Sequence, residues 1–209
     1  MNYLLAAEFD QYGLETTTPE SWTAAASALI DAHCRRPTLG VTQYVERTRI
    51  NPGRNIVHLS YLPLTALAPA TSAIVKVRGR YAVVEARQDQ QGSELAVAVS
   101  QVFALPGTWT DINAAAVDYD PATGEAVMPL NVLALPYNEV EVTYTAGLAA
   151  IPDAVKFACS QIVKNAQATP ALNVKSGRLN QMKLEYFADS LLDASVQKML
   201  APYVAQRMS

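Results

Sequence analysis

Apolar positions along the chain change period twice. From Trp22 to His33 they recur at helical spacing, at Trp22, Ala25, Ala26, Leu29, Ile30 and His33, which predicts a helix with that face buried. Thr16-Thr17-Thr18-Pro19-Glu20 reads as its start, with a Thr cap, Pro in the first helical position and an acid near the positive end of the dipole. Arg35-Arg36-Pro37 closes it, because the residue before a proline leaves the helical region. Upstream, Leu5 to Tyr12 predicts a short helix stopped by Gly13.

From Thr38 to Tyr144 the period shortens to that of strands. Val41–Val45, Ile56–Leu59, Ala73–Val77 and Tyr81–Glu85 are β-branched and aromatic runs. Asn51-Pro52-Gly53 and Arg78-Gly79-Arg80 read as the hairpin turns between successive pairs. Asp120–Gly124 predicts a further turn between Ala116–Tyr119 and Ala126–Met128. Glu139–Tyr144 alternates acid and apolar residues, as a strand with one wet face does, and the alternation of Leu95, Val97 and Val99 favours strand as well. Helix resumes at Ile151-Pro152-Asp153, with Val155, Ala158, Cys159, Ile162, Val163 and Ala166 as one stripe. After a Gly-containing connector and the segment Leu179–Phe187, a last helix runs from about Asp193 with Val196, Met199, Leu200, Tyr203 and Val204 inward, kinked or split by Pro202. The expected fold is α+β: a small helical bundle from residues 1–37 and 148–209, with a large antiparallel β insert over 38–147.

Composition narrows this picture. With 209 residues, half of them hydrophobic, the chain can bury a sizeable core, and no apolar run has the length of a membrane span. Met1–Ala7 has no basic residue and meets Glu8 and Asp10 at once, so it does not read as a signal peptide; a reduced, cytosolic site of synthesis is the expectation. Charged residues make up only 17%, and ten tyrosines stand against four phenylalanines. Both biases suit a subunit that covers part of its exterior in an assembly, with Tyr44, Tyr61, Tyr186 and Tyr203 as candidate contacts. The charges are segregated. Between Arg87 and Lys156 there are nine acids and no Lys or Arg; Ala154 to Leu184 carries five bases and no acid; Arg35 to Arg54 holds five arginines and one acid. Solvated faces account for such runs, and so does a subunit with a basic docking side and an acidic side.

Candidate chemistry is sparse. The phosphate loop, the dinucleotide turn, the zinc-protease helix, the nucleophile elbow and Cys-x-x-Cys are all missing. His33 and His58 lie in different elements, and Cys159 falls in an apolar stripe. Cys34, near two arginines, is the one residue offering a nucleophile, hence the remote alternative of a cysteine-dependent hydrolase. Asp118-Tyr119-Asp120 lacks the ligand rhythm of a calcium loop. No catalytic, cofactor-binding or metal-binding residue is assigned.

The order of short motifs is more informative. A helix ending in Cys34-Arg35-Arg36-Pro37 precedes a Tyr-x-Glu-Arg strand at Tyr44–Arg47 and a Leu62-Pro63-Leu64 corner. Val142–Gly147 (Val-Thr-Tyr-Thr-Ala-Gly) precedes Ile151–Lys156 (Ile-Pro-Asp-Ala-Val-Lys), then Ser176-Gly177-Arg178-Leu179 and Met199-Leu200-Ala201-Pro202-Tyr203. This order resembles the head–tail connector, or adaptor, proteins of the tailed-bacteriophage neck. The resemblance implies a structural virion protein, not an enzyme and without cofactor, made in the host cytoplasm. It would form a dodecameric ring of identical subunits below the portal protein and meet a tail-side neck or tail protein. DNA would pass through the channel without specific recognition, and no membrane would be involved. The expected portal or neighbour contacts are Lys175, Arg178, Lys183, Leu184, Tyr186, Phe187 and Tyr203, with Leu179–Phe187 loosely ordered until it docks. The expected channel-facing acids are Asp111, Asp118, Asp120 and Glu125. A stopper or tail-terminator subunit of the same neck is the alternative.

Overall fold

The computed structural model describes residues 1–50, 55–80, 108–130, 137–168 and 191–205, and the backbone of 176–179 and 182–185. Helices mix with antiparallel sheets in an α+β fold. The chain divides into two compact units, one built from Met1–Gly40 and Ala149–Ala205, the other around Val41–Leu148. The expected turn at Asn51–Gly53, the strand at Tyr81–Glu85 and the segment Leu95–Val102 lie outside the described residues.

In the first unit, helix α1 (Glu20–Cys34) packs on α2 (Asp153–Ala168), and α2 on α3 (Ala194–Leu200). The α2 stripe falls where its periodicity puts it: Val155, Ala158, Cys159, Ile162 and Val163 are buried. For α1 the buried face is turned by about one residue, to Thr23, Ala26, Ser27, Ile30 and Cys34, leaving Trp22 39% exposed. Thr23 and Ser27 can face the core because their hydroxyls donate to the helix's own carbonyls, Thr23 to Glu20 at 2.9 Å and Ser27 to Thr23 at 2.7 Å. The start also differs from expectation. Pro19 is the N-cap itself, with extended backbone, and no threonine side chain caps the helix. The end is a Schellman closure with Arg35 left-handed at φ 56°, its N–H on Ala32 O and that of Arg36 on Asp31 O.

The N-terminal segment forms two 3₁₀ turns, Ala6–Glu8 and Asp10–Tyr12, rather than one helix, and Gly13 at φ 69° ends the second. Tyr3, Leu4, Phe9 and Leu14 are buried, so this segment is part of the core. It is tied to α2 by the Glu8–Lys156 ion pair, by Tyr12 OH donating to Asp153 at 2.7 Å and by Lys164 Nζ donating to Tyr12 O at 3.0 Å. Asp193 caps α3 by accepting from Val196 N, and the final helix is split at Pro202, continuing as the 3₁₀ turn Ala201–Tyr203.

In the second unit, β1 (Thr42–Arg49), β7 (Glu139–Ala146), β3 (Ile74–Arg80) and β4 (Thr110–Ile112) form one antiparallel sheet in the order β1-β7-β3-β4. A second sheet has the order β2-β6-β5, from Ile56–His58, Glu125–Val127 and Asp118–Tyr119. Of the three expected turns between neighbouring runs, Asp120–Gly124 does join a paired β5 and β6, whereas the pairings expected across Asn51–Gly53 and Arg78–Arg80 are corrected. β1 pairs with β7 and β2 with β6, and Arg78-Gly79-Arg80 is strand, with Arg78 opposite Glu141 and Arg80 opposite Glu139. Gly79 sits there because the Tyr137 ring lies against the strand: a Cβ would come 2.5 Å from Tyr137 Cδ1 and 2.9 Å from Ile112 Cδ1. Gly79→Ala is therefore expected to lower stability by about 1–3 kcal/mol through overpacking, read as a drop in the denaturant midpoint at unchanged slope. The core of this unit gathers Tyr44, Val57, Val77, Val140, Val142 and Tyr144, with Tyr44 stacked on Tyr61 at 3.9 Å.

Candidate docking surfaces

The strand period places odd and even residues of β7 on opposite faces. Val140, Val142 and Tyr144 go to the core, while Glu139 and Glu141 join the other face. The register brings Arg49, Glu139 and Arg80 into one row across the sheet, and Arg47, Glu141, Arg78 and Asp111 into the next. Glu139 accepts from both Arg47 and Arg80, Glu141 pairs with Arg78, and Asp111 with Lys76 at 3.4 Å. Trp109 lies over three of these guanidiniums, 5.3 Å from Arg47, 5.6 Å from Arg78 and 4.7 Å from Arg80, in cation–π geometry. The Glu139 side chain is only 6% exposed, against 51% for Arg47. Its hydrogen bond from Arg47, with the help of Arg80, holds the carboxyl below the usual carboxylate range in spite of burial.

This ladder revises the expected wet face of β7, whose acids are covered by arginines from both flanking strands. It also accounts for part of the charge segregation. Arg47 of the arginine-rich stretch pairs with Glu139 of the acid-only stretch, and the other bases of the ladder, Lys76, Arg78 and Arg80, come from β3. Arg78, Arg80 and Trp109 escaped the sequence reading, although the period-two pairs Arg47/Arg49, Arg78/Arg80 and Glu139/Glu141 were a usable signal.

The expected channel-facing acids do not share one sheet. Asp111 lies on β4 beside Lys76, Asp118 is exposed on β5, and Glu125 is opposite His58 on β6. Asp120 organises its turn, accepting from Ala122 N at 2.8 Å and Thr123 Oγ1 at 2.9 Å, and these bonds lower its pKa. Among the expected docking residues, Lys175, Tyr186 and Phe187 lie outside the described residues. Arg178, Lys183 and Leu184 fall on a two-stranded hairpin, β8 (Ser176–Leu179) and β9 (Met182–Glu185), where a loosely ordered segment was expected. The alternating pattern of Leu179, Met182 and Leu184 against Arg178 and Lys183 suits such a hairpin. Tyr203 is half-buried in the last 3₁₀ turn. Tyr44 belongs to the core, and of the bases in the Ala154–Leu184 stretch Lys156 and Lys164 are engaged within the helical unit.

The helical unit has an apolar cleft of about 230 Å³ between α1 and α2, lined by residues that include Trp22, Ala25, Leu29, Ile162, Ala166 and Leu191. That is below the range of small-molecule sites and suits one or two apolar side chains. Cys34 and Cys159 are both buried, and burial pushes each thiol up to about 11, with Arg36 only partly opposing this at Cys34. A thiol so protonated at neutral pH is poorly placed to act as a nucleophile. Among the described residues no cluster of three or more His, Cys, Asp or Glu could hold a metal ion, and no helix is long and apolar enough to cross a membrane. No protein-family model matches the chain, and no curated protein matches it.

Proposed function

We propose that this chain is a structural subunit of the tailed-phage neck, a head–tail connector that assembles as a ring beneath the portal and extends the DNA channel toward the tail. The observation that carries the reading is the interrupted helical unit. Met1–Gly40 and Ala149–Ala205 form one compact body with the β unit inserted between them, in the order that the connector-like motifs follow along the sequence. The apolar α1–α2 cleft supports it, as does the exposure of Trp22 and Phe157 on the helical unit, because such features suit contacts with neighbouring subunits. The virion neck is then its working location, with the portal above it and a tail-side protein below.

Exposed ion pairs are worth about 0–1 kcal/mol each and are screened over ~8 Å at physiological ionic strength, so apolar contacts must supply most of the assembly energy. The isolated protein is expected to be monomeric in dilute solution and to form rings on portal, where neighbours are held at high effective concentration. Light scattering of the free protein, together with docking kinetics on purified portal at two salt concentrations, tests this. The docking rate should fall as salt rises, since charge steering acts mainly on association. A protein that ignores portal at every concentration overturns the reading, and one that binds only the assembled tail indicates the terminator alternative.

A further inference from the structure

We infer that the β units of neighbouring copies stack face to face, the arginine face of one on the acidic face of the next, an inference that rests on the ring-forming reading above. The two sheets of this unit share one core, in which Val77, Val140, Val142 and Tyr144 of the first gather with Val57 and Ala126 of the second. Their outer faces therefore lie on opposite sides of the unit. On the first sheet that face carries five bases, Arg47, Arg49, Lys76, Arg78 and Arg80, and three acids. The bases stand outermost: the Glu139 side chain is nearly buried and that of Glu141 is 23% exposed, against 55% for Lys76. Asp111, at the β4 edge, is exposed but paired with Lys76. Val45 and Val75 add exposed aliphatic surface beside the ladder, the bulge between Ile74 and Lys76 turning Val75 outward.

The outer face of the second sheet has the opposite sign. Its register and period of two put His58 beside Glu125, and Ile56 and Asp118 beside Val127, away from buried Val57 and Ala126. Asp120 follows in the turn that joins β5 to β6, and no Lys or Arg occurs in Ile56–His58 or Asp118–Val127. The two faces are thus complementary in charge, and both carry aliphatic side chains for the apolar part of the contact. Duplex DNA fits the arginine face less well, because the acids interleaved with its bases repel phosphates. The faces are different surfaces of one chain, so the contact is heterologous, and their opposite placement gives each copy a neighbour on both sides, as a closed ring requires. Asp118 and Glu125, expected to line the channel, then face a neighbouring subunit.

The test uses two preparations, one carrying Val45→Cys and the other His58→Cys, mixed on purified portal with a short bismaleimide. Both positions are exposed, and the native cysteines are buried and contribute little background. A covalent dimer containing one chain of each kind, formed in the mixture and by neither preparation alone, is the expected result. Lys76→Glu in the Val45→Cys chain should lower the dimer yield at least fivefold, and Asp118→Lys in the His58→Cys chain should restore most of it. Circular dichroism and urea midpoints matching the parent would show that the variants are folded. A dimer formed by the Val45→Cys preparation alone would overturn the inference, because like faces would then meet. So would rings that form normally with no cross-link between the two positions, an outcome that leaves the connector reading standing. Binding of a fluorescent DNA duplex that Lys76→Glu abolishes, without the cross-link, would also overturn it and assign the arginine face to nucleic acid. Absence of any assembly by the parent protein on portal would remove both.

Discussion

Ile162→Asp should cost about 4 kcal/mol or more and leave the helical unit unfolded or melting far below the parent. Ile162 is 2% exposed in the α2 stripe that packs on α1. Removing a buried aliphatic side chain costs about 2–5 kcal/mol by itself, and a carboxylate put in its place has no basic side chain among the residues lining the neighbouring cleft. The buried carboxyl escapes part of the penalty by taking up a proton, so its pKa in the folded state rises. The variant is accordingly expected to be least stable at neutral pH and to recover in part near pH 4, where the unfolded chain also holds the proton. Thermal melts followed by circular dichroism at the two pH values measure this, with Ile162→Val, expected to cost about 1 kcal/mol, as the size control. A variant melting like the parent at pH 7 would show that this face of α2 does not form the core.

The parts of the fold that were legible are those decided locally. The helix over Asp153–Ala168 announces itself through Pro152, Asp153 and an unbroken apolar stripe. The split at Pro202 follows from the chemistry of one residue. The α1 face was misjudged because Thr23 and Ser27 count as polar in any pattern, although each returns its hydroxyl to the helix backbone and can then be buried. The core role of Tyr3, Leu4, Phe9 and Leu14 was hidden because 3₁₀ turns and loops impose no apolar period. Strand partners were the largest loss. β1 lies beside a strand from the far end of the β unit, and nothing within Thr42–Arg49 specifies which of several apolar runs will take the place next to it. Their charges did specify it, since arginines on alternate positions of β1 and β3 are complementary to Glu139 and Glu141. Reading each charged stretch by itself, as a surface, concealed that relation. Trp109 carried no local sign of its role, because its position over the guanidiniums exists only once β1, β7 and β3 are paired.

Acid should therefore loosen the β unit through Glu139. Its folded-state pKa is depressed, first by the Arg47 hydrogen bond and then by Arg80, so the stabilisation is fully present above the ordinary glutamate value of about 4.3 and disappears as pH falls through the lower folded value. Asp120, also in this unit, shifts in the same direction through its turn, whereas Asp31, raised chiefly by burial, acts oppositely in the helical unit. A global melt would blend these contributions, so the readout must be local. Trp109 supplies it, because its indole lies on Arg47, Arg78 and Arg80, and Trp22→Phe removes the only other tryptophan. In that background, Glu139→Gln removes the nearly buried carboxylate shared by Arg47 and Arg80 and should cost about 1–2 kcal/mol at pH 7, because the guanidiniums it leaves behind still reach water. The difference from the parent should shrink steadily below about pH 4, since protonation neutralises the same group in the parent. Urea midpoints followed by Trp109 emission from pH 7 down to pH 3 measure both curves. Two parallel curves, separated by the same amount at every pH, would mean that glutamine is disfavoured for its shape and that the charge of Glu139 contributes nothing to holding β1 and β3 against β7.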